Sequence, residues 1–230
     1  MRLSILIFDG LTALDAIGGY EVLSCIPGME TEFVGKHRGI VVADTRSLGL
    51  VAFRTFEEVK QTDILYVPGG PGGQSLETDE DFLDHVRMLD QTSTWTVGIC
   101  NGSALLAAAG LLKGRKMTSN WFYRDRLKDW GAEFVPARYH RDGKYITGAG
   151  VSASIDTGLY LAQLIGGEMV AKTLQLGIEY YPDPPFSEKT PAEAPASSQQ
   201  MVQQFEQAGG KEQLRRQPVF QGSYEVLSRA

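Results

Sequence analysis

Residues 94–112 read TWTVGICNGSALLAAAGLL. Trp95 to Ile99 is a short apolar run with strand character, and Ala104 to Leu112 is an apolar run with helical character. Almost nothing separates them, so the chain must turn from strand to helix within a few residues. Gly98, Cys100 and Gly102 span that turn as G-x-C-x-G. This is the cysteine form of a nucleophile elbow: a strained strand-to-helix turn that only small flanking residues tolerate. A junction of this kind belongs in a fold of alternating strands and helices.

The rest of the chain supplies that alternation. LSILIF at 3–8 and DILYV at 63–67 read as buried core strands, the second cut off by PGGPGG at 68–73. Residues 15–25 read as a short helix ended by Pro27-Gly28. Residues 31–56 suggest a strand and then a hairpin around Asp44 to Gly49. Phe82, Val86 and Leu89 put a helix over 79–91, and a second elbow element, the helix at 102–112, follows the strand at 95–99. A short helix at 122–130 precedes a strand at 132–135. Asp142-Gly143 centres a hairpin over 138–147. Helices follow at 152–165 and 168–180, then a Pro-rich loop at 182–196, a polar helix at 197–208 and an irregular tail. Short apolar strands between helices predict a three-layer α/β sandwich with a mostly parallel central sheet. The reading is one domain over 1–230, with a C-terminal extension from about 182.

Composition narrows the function classes. The chain has 230 residues, 43% hydrophobic and 22% charged, with a net charge of −6. No Lys/Arg stripe stands out, which argues against nucleic acid as a partner. The apolar start is stopped by Asp9, and no run approaches the roughly 18 residues of a membrane span, so a cytoplasmic protein is expected. No His/Cys cluster has metal-ligand spacing, and no cofactor is expected. Two cysteines make no disulfide framework. Cys25 reads as a small hydrophobe inside an amphipathic helix.

In a parallel sheet, ligands sit beyond the carboxyl ends of the strands. The strands at 3–8, 63–67 and 95–99 bring Asp15, PGGPGG and Cys100 to that edge. The helix after Cys100 would stabilise a thiolate with its free N–H groups and dipole. The Asn101 N–H can face developing negative charge, and Gly70 is the candidate for a second donor. Asp15 is either a helix N-cap or, if buried, a carboxyl that carries a proton to the cysteine. Asn120, Trp121 and Ser152 are candidate substrate-pocket residues. His37, His85 and His140 read as exposed or structural, His85 on the outer side of a surface helix. A cysteine without a histidine base disfavours a protease or amidase.

VGICNGSALLAAAGLL, YVPGGPGG and YITGAGVSASIDTGLYLAQLI together resemble the PfpI superfamily of glutamine-amidotransferase-like proteins. FDGLTALDAIGGYEVL and IEYYPDPPF, followed by PAEAPAS, resemble its isocyanide hydratase branch. The resemblance implies a flavodoxin-like sandwich, a homodimer, Cys100 as nucleophile and Asp15 as acid/base. Three positions depart from it: Asn101 where the hydratases commonly have Thr, Asn120 where many members have His, and Ala149 where Gly is expected. The expected reaction is hydration of an isocyanide to an N-substituted formamide through a covalent thioimidate. The alternatives are a cofactor-free glyoxalase acting on small reactive carbonyls, and a non-enzymatic cysteine redox sensor or chaperone.

Overall fold

The computed structural model describes residues 1–207, with side chains described through residue 204. The stretch RRQPVFQGSYEVLSRA, read as an irregular tail, lies outside the described residues. In chain order the elements are β1 (Arg2–Leu6), α1 (Ala13–Leu23), β2 (Glu30–Gly35), β3 (Gly39–Val42), β4 (Gly49–Ala52), β5 (Arg54–Thr55), β6 (Ile64–Val67), α2 (Gly73–Leu76), α3 (Glu80–Thr92), β7 (Trp95–Ile99), α4 (Gly102–Ala108), β8 (Lys116–Met117), a 3-10 helix (Arg126–Trp130), β9 (Glu133–Phe134), β10 (Tyr139–Asp142), β11 (Tyr145–Gly148), α5 (Ala153–Gly166), α6 (Glu168–Gly177) and α7 (Ala196–Gln207).

The main sheet has seven strands in the order β10-β11-β7-β6-β1-β2-β5. Every neighbouring pair is parallel except the β10–β11 hairpin. Helices cover both sides, as expected for central strands that are apolar on both faces. Leu3, Ile5, Ile64, Leu65, Val97 and Ile99 are fully buried. On one side α1 packs on α5 and α5 on α6; on the other α3 packs on α4. The parallel order places the ends of β1, β6 and β7 side by side, and the loops after them carry Asp15, PGGPGG and Cys100.

Several elements differ from the sequence reading, each for a local reason. The helix after Cys100 stops at Ala108 rather than 112, because Gly110 takes a left-handed conformation (φ 82°) that ends it. The helix expected over 122–130 is only a 3-10 turn at Arg126–Trp130. Helix α1 ends at Leu23, before the Pro27-Gly28 turn, so Cys25 falls outside it and is exposed rather than buried. The helix expected to reach 180 ends at Gly177.

His85 is a larger correction. It points inward, 6% exposed, with its ring stacked on Phe56 at 4.5 Å. It lies three residues after Phe82 and shares the face of α3 that buries Phe82, Val86 and Leu89. Its Nε2 has no hydrogen-bond partner among the described residues. Burial first, and then the charge of Lys60, depress its pKa to about 4. The folded protein therefore keeps His85 neutral in a range where the unfolded chain, with an ordinary value near 6.5, binds a proton. Stability is full above about pH 6.5 and falls as pH drops toward 4, by roughly 3 kcal/mol from this group. His85→Phe should flatten the unfolding free energy between pH 6.5 and 4 in urea titrations. An equal acid slope in the variant would show that other groups cause it.

Candidate active site

Cys100 joins β7 to α4 with a φ of 58°, a left-handed conformation that costs a non-glycine residue energy. The surrounding bonds hold it there. Its N–H donates to the Gly148 carbonyl at 2.9 Å. Its carbonyl accepts from Ser103 Oγ at 2.6 Å and Ser119 Oγ at 2.8 Å. The glycine of the motif after Cys100 is sterically required: a Cβ at Gly102 would sit 2.2 Å from the Val67 carbonyl oxygen. Gly150, in the loop after β11, lies directly against the cysteine. A Cβ there would be 2.7 Å from Cys100 Cβ and 3.1 Å from Sγ.

Asp15 sits in the first turn of α1, three residues after the N-cap position Thr12, and is fully buried. It is not the N-cap. The Gly69 N–H donates to its Oδ2 at 3.0 Å, and Tyr66 donates its hydroxyl to the Asp15 carbonyl at 2.7 Å. β6 and its glycine loop thereby aim the carboxyl at Cys100, with which it forms a hydrogen bond. The sulfur also meets the Asn101 N–H and the Asn120 side chain.

The electrostatics differ from the sequence expectation of a stabilised thiolate. Burial pushes the Cys100 thiol well above its ordinary value, and the charge of Asp15 pushes in the same direction. The Asn101 N–H and Asn120 oppose them without winning. The reason is geometric: Cys100 is 7% exposed and faces a carboxyl group, whereas a seven-residue helix offers little opposing field. An anionic thiolate beside an anionic Asp15 is therefore disfavoured.

Gly70 does not offer a free N–H. That N–H donates to Asn101 Oδ1 at 2.6 Å, and Asn101 Nδ2 donates back to the Gly70 carbonyl at 2.9 Å. The Asn101 side chain, 1% exposed, thus ties the elbow to the loop after β6 instead of facing substrate. Asn101→Ala should leave the Gly70 N–H unpaired in the interior, while the Gly70 carbonyl keeps the Gly73 N–H at 3.0 Å, and destabilise the fold by about 1–3 kcal/mol. Urea unfolding would measure this, and a loss below about 0.5 kcal/mol would contradict the assigned role of the pair.

The thiol opens into a pocket of about 140 Å³ whose wall includes Thr12, Pro71, Trp121, Tyr123, Val151 and Val202. Asn120 and Trp121 are at this pocket as expected. Ser152 is not. It occupies the N-cap position of α5 and accepts a hydrogen bond from Arg138 at 3.0 Å, leaving Val151 on the pocket wall. None of His37, His85 and His140 lines the pocket.

The sequence reading did not single out Thr12, Asp44, Tyr123, Gly150 or Val202. Thr12 donates to Asp44 Oδ2 at 2.6 Å, a contact between residues 32 positions apart that no local pattern announces. Tyr123 belongs to the WFY run, whose aromatic cluster was the available signal; its hydroxyl accepts from Gln74 at 2.7 Å. Val202 comes from α7, in the C-terminal extension, and only the folded chain brings it to the cysteine.

A model of the DJ-1/PfpI family matches residues 1–164. The chain belongs to the DJ-1/PfpI family. Within and beside that family it is 38% identical over 197 residues to an isonitrile hydratase of Pseudomonas putida, covering 86% of each chain. It is 29% identical over 157 residues to a deglycase of Thermococcus kodakarensis, covering 64% of this chain and 89% of that one. The crystal structure of a ThiJ/PfpI family protein from Pseudomonas syringae superposes with a TM-score of 0.86 at 32% identity, covering 94% of this chain and 90% of that one. DJ-1 of Schizosaccharomyces pombe, with a TM-score of 0.69 at 17% identity, shares the fold over 79% of this chain and all of its own. These DJ-1/PfpI neighbours have the flavodoxin-like arrangement seen here, with helices on both sides of a mostly parallel sheet. Among the described residues no helix is long and apolar enough to cross a membrane.

Proposed function

We propose that the protein is a cysteine-dependent isocyanide hydratase, with Cys100 as nucleophile and Asp15 as its proton donor and acceptor. The observation that carries this reading is the pairing of a buried thiol with a buried carboxyl and two amide donors, with no histidine at the pocket. That set suits an electrophile that needs one nucleophile and one mobile proton. The 38% identical isonitrile hydratase supports the substrate class.

In the reactive state one proton is shared between the pair, with Cys100 as thiolate and Asp15 neutral. The thiolate attacks the terminal carbon of R–N≡C, and Asp15 delivers its proton to that carbon, giving the thioimidate R–N=CH–S–Cys100. Asp15, now anionic, takes a proton from water as the oxygen adds to the same carbon, and passes it to nitrogen. It then takes the hydroxyl proton as the C–S bond breaks. The products are R–NH–CHO and the starting thiolate–acid pair. Covalent catalysis divides one hydration into two easier additions. The Asn101 N–H and the Asn120 side chain steady charge on sulfur. No step uses a metal or cofactor.

We further propose one α/β domain over 1–230 with an extension from about 182, acting as a homodimer in the cytoplasm. The glyoxalase reading is supported by the deglycase relatives, which match this chain less extensively than the isonitrile hydratase does. The redox-sensor reading loses ground because such cysteines are low in pKa, whereas burial and Asp15 push the Cys100 thiol up. The discriminating experiment offers the purified protein an aryl isocyanide and, separately, methylglyoxal. Formamide from the first and no lactate from the second is expected. Lactate without formamide would replace the hydratase reading with the carbonyl one.

A further inference from the structure

Beside the catalytic pocket lies a second cavity of about 320 Å³. Asn120 and Trp121 line both spaces. Gly150 lines the second and packs against Cys100, so this cavity lies next to the nucleophile with Gly150 between them. Its inner wall is buried or half-buried and mostly apolar, with Trp121, Phe134, Ala137 and Ala149. Its outer wall is the exposed segment 189–192, which lies beyond the residues matched by the family model. Glu193 fixes that segment, accepting from the Lys189 N–H and from Thr190 Oγ1, both at 3.0 Å. Three cations stand at the edge, Arg138 paired with Asp156, Arg124 paired with Asp125, and Lys189 on the outer wall, and no carboxylate lines the space.

Volume decides what this second space is for. The pocket at the thiol, about 140 Å³, is near the roughly 150 Å³ cavity that holds a single benzene. It has room for the reacting isocyano group and a small substituent, about the bulk of one ring in all. A larger group on nitrogen can pass the edge formed by Asn120 and Trp121 into the second space.

We propose that the second cavity is the subsite for the substrate's nitrogen substituent, and that it accepts bulky apolar groups larger than one ring. The identity of the reacting group rests on the hydratase reading, whereas the position of the cavity next to Cys100 does not. Ala192→Trp and, independently, Pro191→Trp would place an indole in this space from exposed positions. Two rate ratios are read in a Cys25→Ser background, because exposed Cys25 would itself take label. One is alkylation of Cys100 by N-biphenyl iodoacetamide relative to iodoacetamide. The other is hydration of biphenyl isocyanide relative to methyl isocyanide. Each long-to-short ratio is expected to fall at least tenfold in both variants. Alkylation ratios unchanged in both variants would overturn the subsite. A tenfold fall in alkylation, with no hydration of either isocyanide by the parent protein, would retain the subsite for another Cys100 electrophile and discard the hydratase reading.

Discussion

Cys100→Ala is expected to reduce formamide production from an aryl isocyanide to the uncatalysed background, a loss of about 10⁴-fold or more. The magnitude follows from the division of labour in the pocket. Asp15 can move a proton, and Asn101 and Asn120 can steady charge, but none of them can form the bond to carbon. Without sulfur the pocket would have to activate water directly on an isocyanide carbon, with no covalent intermediate. The substitution should leave the fold intact, because the bonds that hold the elbow use the backbone of residue 100: its N–H to Gly148 and its carbonyl to Ser103 and Ser119. Relief of the left-handed strain is not expected, since alanine meets the same steric cost there. Progress curves for parent and variant, with circular dichroism as a folding control, measure this. Hydration by Cys100→Ala within tenfold of the parent would remove covalent catalysis.

Asp15→Asn carries the second largest effect, an expected loss of about 10²–10⁴-fold in hydration. The amide can still accept the Gly69 N–H, so the loop after β6 should keep its place. It can neither deliver a proton to the isocyanide carbon nor accept one from water. Removing the carboxyl also removes the charge that pushes the Cys100 thiol up. The thiol of Asp15→Asn should therefore ionise at lower pH than that of the parent, even as turnover collapses. Iodoacetamide labelling against pH, again without Cys25, reads the ionisation while hydration reads the chemistry. This opposite movement separates a proton-transfer role from simple disruption: a misfolded site would not gain reactive thiolate and lose turnover together. Unchanged hydration would end the acid/base assignment.

The central part of the site was legible because it is local in sequence. G-x-C-x-G between a strand and a helix announces the elbow, and the parallel order of β1, β6 and β7 then obliges Asp15 and the glycine loop to share its edge. What could not be read is what distant backbone does. Gly70 was expected to aim its N–H at a substrate, but Asn101 captures it from 31 positions away. Ser152 lost its place to Val151 through the phase of one residue at the start of α5. The thiol's electrostatics also depended on burial, which a motif does not disclose. His85 is different, since the information was present: positions 82, 85, 86 and 89 share one helical face, and reading only the apolar three put the imidazole in solvent. The contribution of Val202 depends on where α7 returns over the sheet edge, and no periodicity in a polar helix specifies that.

The proposed mechanism turns on a covalent bond between Cys100 and the isocyanide carbon. Intact-mass spectrometry of the parent protein, acid-quenched during steady-state turnover of an aryl isocyanide, tests it directly. A species heavier by the mass of one isocyanide is expected, mapped by peptide digestion to Cys100 and absent from Cys100→Ala. Steady formamide production with no adduct at Cys100, continuing in Cys100→Ala, would contradict it.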